Sequence, residues 1–168
     1  MGSSTYPFVP ADFEIPSVLE TESYRLRMLT INDLVKDFDA VVSSSEKLKE
    51  IWPDSTWPSG LTLEENLIDL GWHQREFTKR RSFAYTVVAL DETKVLGCVY
   101  INPTIKKDHD AEVYLWARTS DHKTDLTDEQ LMTTVDNWVA QEWPFLNPAF
   151  PGKKIPWDVW YELEEAKP

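Results

Sequence analysis

The residues able to do chemistry are few, and their spacing excludes most of what they could do. His73, His109 and His122 are the three histidines, and each stands alone. A metal site needs ligands at recurring short spacings, and no such set exists here, so no metal is expected. No serine, histidine and acid fall at the spacing of a known nucleophile motif, and Ser43-Ser44-Ser45 lacks the glycines of a nucleophile elbow. The single cysteine, Cys98, lies in a strand-like run, where it reads as a small buried apolar side chain; one cysteine excludes a disulfide framework within the chain. Only five glycines exist and none cluster, so P-loop and dinucleotide fingerprints are absent. What remains is the run from Trp52 to Gly60, a loop by virtue of Pro53, Pro58 and Gly60. Its indoles, Trp52 and Trp57, either lid the core or line an acceptor cleft.

Composition narrows the partners. At 168 residues the chain is long enough for one domain with a sizeable core, and no repeat divides it. Charged residues at 27%, apolar ones at 42% and eight tryptophans indicate a globular protein. A formal charge of −12 repels a phosphate backbone, which excludes nucleic acid as a partner and favours cationic substrates such as amines. An anionic cofactor would need a local basic patch. No basic-then-apolar leader and no apolar run near the ~20 residues of a membrane helix is present, so a cytoplasmic protein without membrane contact is expected.

The elements that must position any site are organised by the stretch from Phe83 to Arg118. Three strand-like runs, 83–90, 95–101 and 111–118, follow one another with polar breaks at 91–94 and 106–110 and a stop at Asn102-Pro103, which predicts antiparallel neighbours. Before them, Pro7, Pro10 and Pro16 predict an extended arm over 1–18. Residues 19–29 alternate as one strand from Tyr24 onward, and Thr30 with Asp33 opens a helix carrying Leu34, Phe38, Val41 and Val42, broken at Ser43-Ser44-Ser45. A capping box from Thr62 to Glu65 opens a second helix with Leu63, Leu67, Leu70 and Phe77 as its apolar stripe, His73 as a packing or surface residue, and Lys79-Arg80-Arg81 as a solvated end. After the strands, a second capping box from Thr127 to Gln130 opens a helix with Leu131, Val135, Trp138 and Val139 on one face. Pro144, Pro148, Pro151 and Gly152 mark an irregular connection, and Ile155 to Tyr161 reads as a last strand.

This order is α+β: a mostly antiparallel central sheet flanked by helices, with 1–18 as an arm and 19–168 as a single domain. The run from Leu19 to Leu34 resembles the first strand and helix start of the ribosomal-protein-acetylating branch of the GNAT superfamily, acyl-CoA-dependent N-acyltransferases. Val95-Leu96-Gly97-Cys98-Val99 is similar to that family's third strand, and Ala111 to Ala117 to its fourth. The resemblance implies transfer of an acyl group, acetyl in the usual case, from acyl-CoA to an amine of a small molecule or peptide. It implies that backbone at Leu115, Trp116, Ala117 and Arg118 bonds the pantetheine arm, that Glu112 acts as base toward the amine, and that Tyr161 protonates the departing thiolate.

The stretch from Arg118 to Leu126 departs from the family, because it has none of the glycines whose N–H groups hold the pyrophosphate. Arg118, His122 and Lys123 would have to replace them, against Asp125, Asp128 and Glu129 at the next helix start. The family's last helix and two strands have no counterpart after the last predicted strand. These departures imply the alternative: a GNAT-like binding or interaction module that has lost coenzyme A and that forms a homodimer through a splayed sheet edge.

Overall fold

The computed structural model describes residues 7–120, 122 and 124–166. Six strands form one sheet in chain order: β1 (Val18–Glu20), β2 (Tyr24–Met28), β3 (Phe83–Ala89), β4 (Val95–Asn102), β5 (Ala111–Ala117) and β6 (Pro148–Ala149). The first four pairings are antiparallel and the last, β5 with β6, is parallel. The helices are α1 (Leu34–Ser43), α2 (Ser45–Leu48), α3 (Leu63–Thr78), α4 (Asp128–Glu142) and α5 (Trp157–Glu162). The expected α+β class and its mostly antiparallel sheet are what the structure has.

The central strands are near-continuous apolar runs because both faces of the sheet are covered. On one face Tyr85, Val87, Val99, Val113 and Leu115 pack against Leu131, Val135 and Trp138 of α4. On the other Ala84, Cys98, Tyr100, Tyr114 and Trp116 pack against Ala40 and Val41 of α1 and Leu70 of α3. Cys98 is buried, and burial pushes its thiol far above the usual range. Gly97 is where β4 approaches β5 too closely for a side chain, since a Cβ there would collide with the Trp116 carbonyl.

Both capping boxes form, Thr62 with Glu65 and Thr127 with Gln130. Residues 7–17 contain no strand or helix, and Phe8, Val9, Phe13 and Ile15 lie on the core. Arg80 is not a solvated end: its Nη2 donates to the carbonyls of Pro10 and Phe13, both at 2.8 Å, and so ties this segment down.

Three expectations are corrected. Residues 19–29 are a hairpin, not one strand, because Thr21 Oγ1 accepts the N–H groups of Ser23 and Tyr24 and closes a turn. The last predicted strand is helix α5, which Pro156 starts by fixing the entry and whose carbonyl accepts the Trp160 N–H at 2.9 Å. Leu63 and Leu67 are exposed; the inward face of α3 runs instead through Asn66, Leu70, His73 and Phe77.

Candidate functional site

The parallel pairing of β5 with β6 lasts two residues, Ala111 with Pro148 and Glu112 with Ala149. Proline at 148 and 151 cannot extend a ladder, and Gly152 turns the chain away at φ 77°, its N–H donating to the Ile155 carbonyl at 2.7 Å. Strand β5 runs on alone to Ala117. The result is a notch of about 440 Å³ between β5, residues 47–53 and residues 151–157.

Backbone direction alternates along β5. The Arg118 N–H donates to Leu96 on the β4 side at 2.8 Å, so the peptide groups of Leu115 and Ala117 face the open side. At Ala117 both groups are already engaged. Its N–H donates to Asp128 Oδ1 at 2.7 Å, and its carbonyl accepts from Lys47 Nζ at 2.6 Å. Lys47 also pairs with Asp128 at 2.8 Å, and Lys153 stands 3.8 Å from the same carboxylate. Asp128 thus holds β5 to the first turn of α4.

Glu112 lies at the vertex of the notch, half-buried, opposite Asn102 on β4 and Ala149 on β6. Its Oε1 accepts the Tyr114 hydroxyl at 2.6 Å. Burial and this carboxylate push the Tyr114 phenol far above its usual range. Trp157 stacks on Tyr114 at 6.2 Å and 11°, and Tyr161 stacks on Trp157 at 5.5 Å. Tyr161 is itself exposed on α5, its phenol raised by partial burial and by Asp54. Trp143 and Trp160 are buried and Trp157 half-buried.

Leu115 and Trp116 therefore line the notch together with Tyr114, with Glu112 and Ala117 beside them on β5, although the Trp116 indole points to the helix-covered face and donates to the Tyr100 hydroxyl at 3.1 Å. Arg118 is committed elsewhere: its Nη1 donates to the Val95 carbonyl at 3.0 Å and its Nη2 to Asp39 at 3.2 Å. His122 is exposed, and Lys123 lies outside the described residues. Asp125, Asp128 and Glu129 stand around the start of α4 with Lys47, Arg118 and His122, so the described residues there offer no net basic cradle.

Trp52 and Trp57 lie 5.4 Å apart and line a second cavity, of about 340 Å³, under α1 and α3. Trp52 is edge-on to Tyr100 at 5.1 Å and tilted on Tyr114 at 5.4 Å, a wall between cavity and notch. Asp37, Asn66, Asp69, Trp72, His73 and Asn102 complete the lining. Asp37 is 3% exposed; its Oδ2 accepts from Asn66 Nδ2 at 2.9 Å. Burial first, then Asp33 and Asp69, push its carboxyl up to about 6. Burial lowers His73 to about 4, which leaves it neutral at pH 7. Asp69 is raised by partial burial and by Glu65. Tyr114, Lys47 and the polar residues of this cavity were missed as site residues. Asn66 and His73 did carry a signal, as polar residues in helical register with Leu70 and Phe77. Among the described residues no cluster could hold a metal ion, and no helix is long and apolar enough to cross a membrane.

No protein-family model matches the sequence, and no curated protein matches it. Solved structures do match the fold. A ribosomal-protein-S5-alanine acetyltransferase from Vibrio fischeri superposes with a TM-score of 0.56 at 16% identity, over 74% of this chain and 68% of that one. The microcin C7 self-immunity acetyltransferase MccE, solved with acetyl-CoA and AMP, gives 0.55 at 13%, over 75% and 66%. A Bordetella pertussis protein assigned to the GnaT-family acetyltransferases gives 0.53 at 12%, over 73% and 72%. At these identities the likeness is one of fold, and the fold of this chain is that of the GNAT acetyltransferases.

Proposed function

We propose that the protein transfers an acyl group, acetyl in the first instance, from acyl-CoA to an amine. The observation that carries this is the notch with Glu112 at its vertex: β5 presents an open Leu115 peptide edge to a donor and, at the end of that edge, a half-buried carboxylate bonded to a phenol. Acyl-CoA would supply the activated thioester. Leu115 would bond its pantetheine arm, and Ala117 would join once Asp128 and Lys47 let go. For the diphosphate end the residues fit poorly, and no step depends on it.

Glu112 would take the proton from the amine as its nitrogen bonds the acyl carbon and the C–S bond breaks. The thiolate would collect a proton from a phenol: Tyr161, as the resemblance implies, or Tyr114, which lines the notch and whose hydroxyl would be refilled by the proton that Glu112 took from the amine. Trp52 and Trp57 would line the amine's approach, since the cavity reaches Asn102 beside Glu112. Release of free thiol from acetyl-CoA in the presence of simple amines tests this. Glu112→Gln should lower turnover by about 10²-fold or more with the melting temperature nearly unchanged. A variant as active as the parent would remove Glu112 from the reaction.

A second reading has its own observation. The Ala117 peptide groups, which a pantetheine arm would need, are satisfied inside the chain by Asp128 and Lys47. This supports a module that has kept the fold and lost coenzyme A, with the open β5 edge free to dimerise. Turnover would exclude that reading.

A further inference from the structure

We propose that the cavity under α1 and α3 is a binding site for a small organic ammonium ion, held over aromatic rings and facing a buried carboxylate. Charge around this cavity is unbalanced. Asp33 and Asp37 are both buried acids one helical turn apart. Asp33 is bonded by Arg27, whose Nη2 lies 2.8 Å from its Oδ1. Asp37 receives only the Asn66 amide on Oδ2, and among the described residues neither a hydrogen bond nor a cation reaches Oδ1. Around it stand Asp33, Asp69 and His73 and, on β4, Cys98 and Tyr100; none is cationic at neutral pH. Among the described residues the cavity wall contains no lysine or arginine. A buried carboxylate without a counter-charge is costly, and a cation entering the cavity removes that cost.

The rest of the wall suits the same ligand. Trp52, Trp57, Trp72 and Tyr100 border the space, and aromatic faces attract ammonium groups most strongly where water is excluded. Asp69 lies on the same wall, half-buried, as a second carboxylate. About 340 Å³ is near the lower end for ligand sites, which favours a compact head group over a peptide. Where acyl transfer holds, this cavity is also the acceptor amine's approach, but the ammonium site does not require it. A quaternary ammonium ion, with no N–H to acylate, satisfies the site equally, and no residue lines both cavity and notch.

The test is calorimetric titration of the protein, without acyl donor and at mildly alkaline pH, with choline and with its tert-butyl analogue, in which carbon replaces the charged nitrogen. Choline should bind saturably and about tenfold or more tighter than the uncharged analogue. Asp69→Asn and Trp72→Ala change half-buried or exposed positions, so the fold is kept. Each should weaken choline about threefold to tenfold. Equal affinity for the two ligands, choline binding unchanged in both variants, or no saturable heat at about 10 mM choline would overturn the proposal. Because no donor is present, these outcomes leave the acyl-transfer reading to its own assay.

Discussion

The notch beside β5 and the cavity under α1 and α3 are both lined by aromatic rings and carboxylates, yet they treat charge in opposite ways. In the notch Asp128 meets Lys47, Lys153 and a backbone N–H, so its charge is matched inside the chain. In the cavity Asp37 has, among the described residues, one amide donor and no cation. The cavity lies on β4 and the notch on the neighbouring β5, with Trp52 packed between them on Tyr100 and Tyr114, so the contrast comes from what the loops and helices bring to each. A matched site resists a ligand until its internal partners are displaced, whereas an unmatched one is stabilised by the ligand that completes it.

The largest effect that would sharpen this contrast is in the pH dependence of stability. Asp37 is raised from 3.8 to about 6, so between those values the folded state binds more protons than the unfolded one and stability falls as pH rises. His73 is lowered from 6.5 to about 4, so over nearly the same window the unfolded state binds more and stability rises with pH. Each amounts to roughly 3 kcal/mol, and in the parent protein they nearly cancel. Asp37→Asn removes one side of the balance. In denaturant unfolding the stability of this variant, measured relative to the parent at each pH, should climb by that amount from pH 4 to pH 6.5. A variant whose stability changes with pH just as the parent's does would mean that Asp37 titrates normally and the cavity is not charge-starved.

A smaller effect is expected at the notch. Asp128→Ala deletes the carboxylate that holds the Ala117 N–H and Lys47, and should cost about 2 kcal/mol by urea unfolding. The same change frees the β5 edge and removes a negative charge from the start of α4, so acetyl-CoA should bind about tenfold tighter. Unchanged affinity would break the claim that the notch is held closed by its own partners.

Sequence alone disclosed much of this fold because its strongest signals are local. The three central strands are short β-branched and aromatic runs between polar breaks, and both capping boxes are four-residue patterns. The misreadings have equally physical origins. A single hydroxyl, Thr21, bends 19–29 into a hairpin, and alternation looks the same on either side of that turn. Pro156 before Trp157 fits a strand start and a helix start alike. Leu63 and Leu67 were legible as apolar but not as exposed, because the face of α3 that turns inward carries Asn66 and His73 toward a cavity between its core residues Leu70 and Phe77.

The candidate site was legible in part. Leu115 and Trp116, to which the resemblance pointed, line the notch, Glu112 and Ala117 lie on the same strand beside them, and the acidic start of α4 was visible as an obstacle to an anion. That Asp128 reaches back to Ala117 and Lys47 was not, since it depends on three segments distant in sequence meeting at one strand end.

The most direct test of the account is a titration of the unmodified protein with acetyl-CoA, followed by thermal unfolding and calorimetry. The acyl-transfer reading predicts saturable binding, with about 2.7 kcal/mol of added stability at a hundred times the dissociation constant. No binding and no stabilisation at millimolar acetyl-CoA would contradict it, and would mean that Asp128 and Lys47 close the notch for good.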